Sequence, residues 1–178
     1  LRHWGVGPGS RVAILGLGGL GHVAVKIAAA MGADVTVLST SPGKEADANR
    51  LGARRFLLTS DGKQVRQARG TLDFILDTVS APHDLQPYLR LLARDGALVQ
   101  VGAPPEPAAV AAFALIGGRK TLAGSSIGGI RETQEMLDFC AEHGIAADVE
   151  VIPMSRVNEA YDRMMSGKAR FRAVLTME

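Results

Sequence analysis

The chain has 178 residues, of which 47% are hydrophobic and 21% charged, a balance typical of a folded globular domain rather than a disordered segment. Its 20 basic and 18 acidic residues leave a formal charge of +2, so nucleic acid is not a favoured partner. No apolar run approaches the roughly 18 residues of a membrane span, and no signal peptide is recognisable, so no membrane partner is expected. The single cysteine, Cys140, excludes an internal disulfide and fits a reducing, cytoplasmic compartment.

Short apolar runs alternate with helical patterns over residues 1–147, and turn residues separate most of them. The runs predicted as strands lie at 12–15, 35–38, 56–58, 74–76, 97–101 and 121–123. The patterns predicted as helices lie at 20–31, 44–51, 85–92, 108–116 and 132–142. Strands that alternate with helices in this way predict a parallel sheet with helices on both faces. The expected fold class is therefore α/β, a doubly wound Rossmann sheet of six parallel strands.

The final segment of the chain follows a different pattern. A strand at 149–153, a helix at 157–165 and an alternating strand at 171–177 are predicted after the last helix of the main pattern. We expect residues 1–147 to form one domain. Residues 148–178 are expected to form a short strand-helix-strand tail that pairs outside the main sheet.

A glycine-rich motif separates the first predicted strand from the first predicted helix. It matches the pattern G-x-G-x-x-G and reads Gly16, Leu17, Gly18, Gly19, Leu20, Gly21. Gly16 permits a tight turn, Gly18 lets the backbone approach a diphosphate, and Gly21 lets helix and strand pack closely. The helix start also presents unpaired N–H groups and the positive end of its dipole to phosphate. This context predicts a dinucleotide site, and a glycine-rich turn without a ligand is the alternative.

The end of the second predicted strand indicates which dinucleotide to expect. NAD-binding proteins of this fold place an acid there, which accepts hydrogen bonds from the ribose 2′-hydroxyl. Here Ser39, Thr40 and Ser41 end the strand, Lys44 follows, and the first carboxylate is Glu45. Hydroxyls and an ammonium group would bind a 2′-phosphate, which an acid would repel. We therefore expect NADP(H), with ordinary turn chemistry and a solvated lysine as the alternative.

Several segments together resemble the zinc-dependent medium-chain dehydrogenases, most closely the cinnamyl-alcohol-dehydrogenase-like branch and its bacterial NADPH-dependent aldehyde reductases. The matching segments span essentially the whole chain and lie at 16–22, 39–44, 51–53, 73–79, 101–104, 124–129 and 132–140. The resemblance implies hydride transfer between NADPH and an aldehyde or primary alcohol substrate at a zinc centre. In that case this chain supplies the cofactor-binding part.

The resemblance also implies cofactor contacts at the carboxyl ends of the later strands, where an open α/β sheet binds its ligands. The path from adenosine to nicotinamide would be lined by Thr78 and Val79. The carboxamide would be held by the backbone of Val101, Gly102 and Ala103. The loop that closes over the ring would consist of Ser125, Ser126 and Ile127.

The zinc-binding catalytic domain of that family has no counterpart among these residues. Cys140 and His143 are two candidate ligands, fewer than the roughly three that catalytic zinc needs, so no metal site and no catalytic residue is predicted here. His22 is expected to pack at the start of its helix rather than to act in catalysis. Residues 1–4 resemble the segment that follows the last zinc cysteine of the family. The chain is therefore expected to be a fragment whose tail, 148–178, belongs to the absent catalytic domain, where zinc would be bound.

Two other functions stay open at this level. A zinc-free medium-chain quinone or enoyl reductase would share the nucleotide-binding domain, and a non-catalytic dinucleotide sensor would bind without turnover. The loop at 125–129 argues against a sensor, because a nicotinamide-covering loop has little use without hydride transfer. The sixth predicted strand would be a sheet edge with unpaired backbone groups, so a homodimer through that edge is expected, as in related enzymes.

Overall fold

A computed structural model describes residues 1–177 and contains a six-stranded parallel sheet with the order β3-β2-β1-β4-β5-β6. Its strands are β1 Arg11–Leu15, β2 Asp34–Ser39, β3 Arg55–Leu58, β4 Leu72–Asp77, β5 Leu92–Gln100 and β6 Thr121–Gly124. The chain moves outward from β1 to β3 and then crosses to β4 on the other side of β1. The strand order therefore reverses between β1 and β4, which is where sheets of this class bind ligands. The predicted fold class is confirmed.

Helices pack on both faces of this sheet. They are α1 Gly21–Ala30, α2 Glu45–Arg50, α3 Gly62–Gln67, α4 Gln86–Leu89 and α5 Ala112–Ile116. A sixth helix, α6 Ile130–Glu142, is largely exposed. Alternate residues of β1 serve opposite faces. Val12 and Ile14 pack in the core that includes Val25 of α1, and Ala13 and Leu15 pack in the core that includes Leu89 of α4. Because both faces are buried, the central strands are apolar throughout rather than alternating.

Two helices were predicted with the wrong extent, and a third was not predicted. The helix predicted at 85–92 ends at Leu89, and the apolar residues after it enter β5, where Leu92 pairs with Leu72 of β4. The helix predicted at 108–116 begins only at Ala112. Helix α3 was not predicted. Its first turn is capped by Asp61, whose carboxylate accepts the N–H groups of Lys63 and Gln64. A polar helix of this length has no apolar stripe to reveal it.

The tail forms a second, separate sheet of two parallel strands, β7 Val149–Pro153 and β8 Arg172–Thr176, joined by α7 Val157–Met165. Its main anchor is Phe171, which is buried in the core and stacks on His22 of α1 with ring centroids 4.6 Å apart. The N–H of Asp148 donates to His22 Nε2 at 3.0 Å, and its carboxylate pairs with Lys26 and Arg50. The tail is therefore docked on α1 and α2, although it shares no strand with the main sheet.

The far edge of the sheet is β6, which pairs only with β5 within residues 1–177. Two large apolar side chains of the neighbouring α5, Phe113 and Ile116, are 82% and 66% exposed. Within residues 1–177, no helix is long and apolar enough to cross a membrane.

Candidate dinucleotide site

The glycine turn between β1 and α1 is tightly constrained by its own backbone. Gly16 has a φ of +90°, which favours glycine. A Cβ at Gly21 would lie 2.0 Å from the carbonyl oxygen of Gly16, so only glycine lets the helix start this close to the strand. Leu17 is buried and anchors the turn in the core. Gly18, by contrast, is exposed, and a Cβ added there would meet nothing within 4 Å. The turn is closed on the protein side and open where a ligand would approach.

The start of α1 faces this open side. Leu20 caps the helix without any side-chain hydrogen bond, so no side chain of the protein takes the place of an anion there. Such a helix start combines unpaired N–H groups with the positive end of the dipole. The arrangement suits a diphosphate.

Lys44 reaches the glycine turn from the loop after β2. Its Nζ donates to the carbonyl oxygen of Leu17 at 3.1 Å. Burial lowers the pKa of Lys44 below its ordinary value, the nearby Arg170 lowers it further, and Asp47 opposes both. The carboxylate of Asp47 accepts hydrogen bonds from Arg50 and Arg170, at 3.3 and 2.9 Å. Positive charge therefore collects beside the glycine turn, and the partly buried Asp47 is already paired.

The hydroxyl residues at the end of β2 lie next to that lysine in the chain. Ser39 is buried, and its Oγ accepts the N–H of Ser41 at 3.1 Å, which shapes the turn into Lys44. Ser41 and Thr40 are exposed, and so is Glu45 at the start of α2. The exposed hydroxyls of Thr40 and Ser41 therefore lie in the same loop as Lys44, which contacts the glycine turn.

The end of β4 completes the floor of the site. The N–H and Oγ of Thr78 donate to the carbonyl oxygen of Leu15, at 3.0 and 2.8 Å. Val79 lies between two glycines, because a Cβ at Gly16 would be 2.8 Å from its Cγ2 and a Cβ at Gly102 would be 2.3 Å from its carbonyl oxygen. The strand order reverses at this point, so the two glycines let three chain segments converge.

A cleft of about 1460 Å³ runs from the glycine turn towards α6 and the end of β6. It is lined by seven of the predicted residues: Gly19, Leu20, Thr78, Val101, Ser125, Ser126 and Ile127. The last three are exposed, with Ile127 at 95%. Ala103 is exposed as well and donates its N–H to Ser80 Oγ at 3.3 Å, outside the lining of this cleft.

One cleft residue, Arg172 of β8, was missed at the level of sequence. Its Nη2 donates to the carbonyl oxygen of Gly19 at 3.0 Å, so a guanidinium lies directly over the glycine turn. No sequence signal marks it, because the two residues are 153 positions apart and meet only when the tail docks. The tail therefore contributes to the site as well as covering α1.

His22 and Cys140 are structural residues. The Nε2 of His22 accepts the N–H of Asp148, so its Nδ1 carries the proton and donates to the carbonyl oxygen of Gly18 at 3.0 Å. Burial lowers the pKa of His22, which favours this neutral ring. Cys140 is buried, and His143 stacks on Phe139. No group of three or more His, Cys, Asp and Glu side chains within residues 1–177 is placed to hold a metal ion.

Comparison with known proteins identifies the family to which this chain belongs. The family described as zinc-binding dehydrogenase matches residues 19–142. The NADP-dependent alcohol dehydrogenase C 1 of Mycolicibacterium smegmatis is 55% identical over 175 residues, covering 98% of this chain and 50% of the relative. The mannitol dehydrogenase of Petroselinum crispum is 55% identical over 177 residues, covering 98% and 52%.

Two solved structures show the same fold over nearly the whole chain. A cinnamyl alcohol dehydrogenase from Sorghum bicolor superposes with a TM-score of 0.95 at 46% identity, covering 99% of this chain and 52% of the other. CAD from Helicobacter pylori, complexed with NADP(H), superposes with a TM-score of 0.89 at 39% identity, covering 99% and 50%. The chain spans about half the length of the curated relatives it matches.

Proposed function

The chain belongs to the zinc-binding dehydrogenase family, and from that premise we propose that it forms the NADP(H)-binding half of an alcohol dehydrogenase that interconverts aldehydes and primary alcohols. The observation that carries the proposal is the position of Lys44, whose ammonium group lies 3.1 Å from the carbonyl oxygen of Leu17 in the glycine turn. A cation at that point, with hydroxyls beside it and no free acid at the strand end, suits the 2′-phosphate of NADP(H).

The residues of the site fit such a cofactor along its length. The amides at the start of α1 would hold the diphosphate, since the space at Gly18 is open. Arg172, which lies over Gly19, would add a charge-assisted hydrogen bond to the same group. Thr78 and Val101 line the cleft further along, and 125–127 would cover the nicotinamide ring. When bound, NADPH supplies the hydride, and the residues of this chain bind and orient it.

The remaining chemistry is assigned to a part of the protein outside these residues. We propose that residues 1–147 form the nucleotide-binding domain and that the tail, 148–178, belongs with a catalytic domain that holds zinc. Zinc there would polarise the substrate oxygen. The relatives are alcohol and mannitol dehydrogenases, and they include NADP-dependent enzymes. This supports the proposed alcohol dehydrogenase over a zinc-free reductase or a sensor. The cytoplasmic location stays a prediction from cysteine content alone.

We also propose that the protein is a homodimer through β6. The edge strand, with the exposed Phe113 and Ile116 beside it, presents both unpaired backbone groups and apolar surface. Light scattering tests this proposal, and a strictly monomeric mass at micromolar concentration would contradict it.

The cofactor proposal is tested by Lys44→Glu. Placing a carboxylate beside the 2′-phosphate should weaken NADPH binding by about ten- to hundred-fold, the effect of one lost charge-assisted hydrogen bond, while NADH binding changes little. Nicotinamide fluorescence in a titration of each dinucleotide measures both affinities. Lys63→Glu, the same charge change on α3, is the matched control and should leave both unchanged. Equal losses for NADPH and NADH in Lys44→Glu would overturn the assignment.

A further inference from the structure

Asp77, the last residue of β4, is a fully buried acid at the centre of the site. Its carbonyl oxygen accepts the N–H groups of Val101 and Gly102, at 2.9 and 3.0 Å. Its carboxylate accepts the N–H of Val79 at 3.0 Å and faces Nε2 of His83 at 3.0 Å. A buried carboxyl group is costly unless it is hydrogen-bonded, and the ring of His83 is the side-chain partner that the structure places on it.

Both ring nitrogens of His83 are engaged. Nε2 lies 3.0 Å from the carboxyl group of Asp77, and Nδ1 lies 2.8 Å from the carbonyl oxygen of Ala81. The ring is therefore held between the end of β4 and the backbone of its own loop, which fixes its orientation.

The ring of His83 also packs against α4. Tyr88 of that helix meets it edge to face, with ring centroids 5.9 Å apart. The carboxylate of Asp84, in the same loop, accepts the N–H of Gln86 at 2.9 Å. The loop and the helix start therefore hold the ring against Asp77.

The loop that this pair holds touches the dinucleotide site directly. Val79, whose N–H is bound by Asp77, fills the space between Gly16 of the glycine turn and Gly102 at the end of β5. Thr78, one residue earlier, bonds the end of β1 and lines the cleft. If the carboxylate of Asp77 lost its partner, the 78–83 loop would shift, and it could only shift against these two glycines.

We propose that His83 is a positioning residue for dinucleotide binding: its hydrogen bond with the carboxyl group of Asp77 holds Thr78 and Val79 against the glycine turn. This role rests on the proposed NADP(H) function. Without the ring of His83, the buried carboxyl group of Asp77 loses its side-chain partner and the floor of the site loosens. The effect is the same for NADPH and NADH because it does not involve the 2′-phosphate.

The test is a titration of the 178-residue chain and its variants with NADPH and with NADH. His83→Ala removes the side-chain partner of Asp77 and should weaken the binding of both dinucleotides by about tenfold, the effect of one lost buried hydrogen bond. His83→Gln keeps a donor for Asp77 and should restore most of the affinity. His143→Ala, directly after α6, is the matched control and should bind both dinucleotides as the wild type does.

NMR of the backbone amides shows whether the effect is local to the site. The amide signals of Thr78 and Val79 should move in His83→Ala and return towards their wild-type positions in His83→Gln, while the signals of α3 stay in place. Unchanged signals at these two residues, or a His83→Gln variant that folds and binds as weakly as His83→Ala, would overturn the positioning role alone. Failure of the wild type to bind either dinucleotide would overturn the proposed function as well.

Discussion

The two ends of the cleft differ in how many contacts with the rest of the chain hold them in place. At the glycine end, Gly21 is buried against the backbone of Gly16, and Lys44 and Arg172 bond to carbonyl oxygens of the turn. At the far end, the last sheet hydrogen bond runs from Ser125 N–H to Gln100, and beyond it Ile127 is almost fully exposed. The end at the glycine turn is therefore preformed by the core of the chain, whereas the end at Ile127, where we propose that the nicotinamide lies, is open to solvent.

This difference separates two kinds of glycine within one motif. Gly21 is needed for folding, because its missing Cβ makes room for a neighbouring carbonyl group. At Gly18 the missing Cβ leaves space that no protein atom fills, and we propose that the ligand needs this space. On that proposal the motif has a structural half and a binding half.

Gly21→Ala should have the largest effect. The added Cβ would overlap the oxygen of Gly16, so we expect a loss of about 1–3 kcal/mol or more in the free energy of unfolding, together with loss of dinucleotide binding. Urea denaturation followed by circular dichroism measures the first quantity, and fluorescence titration measures the second.

Gly18→Ala sharpens the comparison, because it should change the free energy of unfolding by no more than about 0.5 kcal/mol while still weakening binding. Gly7→Ala, at a glycine with equally open surroundings away from the turn, should alter neither. A Gly18→Ala variant that binds NADPH as tightly as the wild type would show that the diphosphate does not approach this position.

A medium effect is expected from pH acting on the junction between the tail and α1. Because burial lowers the pKa of His22, the folded state favours the neutral ring, whose Nε2 accepts the N–H of Asp148. The stability that this ring contributes is present above the unfolded pKa of about 6.5 and is lost as pH falls through the lower folded value.

Asp148 also titrates, but its pKa is lowered mainly by the hydrogen bond from Lys26, so its contribution is lost only at more acidic pH. Urea unfolding at about pH 7 and at about pH 5 should therefore show a fall in the wild type that is absent in His22→Gln. An equal fall in both proteins would assign the pH dependence to other groups.

The smallest effect is expected at the open end. Ile127→Ser removes an exposed side chain, so the free energy of unfolding of this chain should change by no more than about 0.5 kcal/mol. Thermal unfolding monitored by calorimetry is the measurement. A loss as large as that of Gly21→Ala would mean that the two ends are equally well held, contrary to the structure.

Most of the fold was predictable because its signals are local. The strands that are buried on both faces are continuous apolar runs, and the glycine motif lies between one of them and a helix. The apolar stretch before β5 was misassigned because a run of leucines suits a buried strand and a buried helix equally well. Only pairing with β4 makes Leu92 a strand residue.

By itself, the sequence determined the parallel sheet, the glycine turn and the run of hydroxyls with Lys44, since each depends on residues a few positions apart. The tertiary structure alone decided that Arg172 lies over Gly19, that Phe171 and Asp148 anchor the tail on His22, and that His83 faces Asp77 with both ring nitrogens engaged. The physical reason is that most of these contacts join segments more than a hundred residues apart, and that the orientation of an imidazole ring depends on which acceptors the fold brings to its two nitrogens.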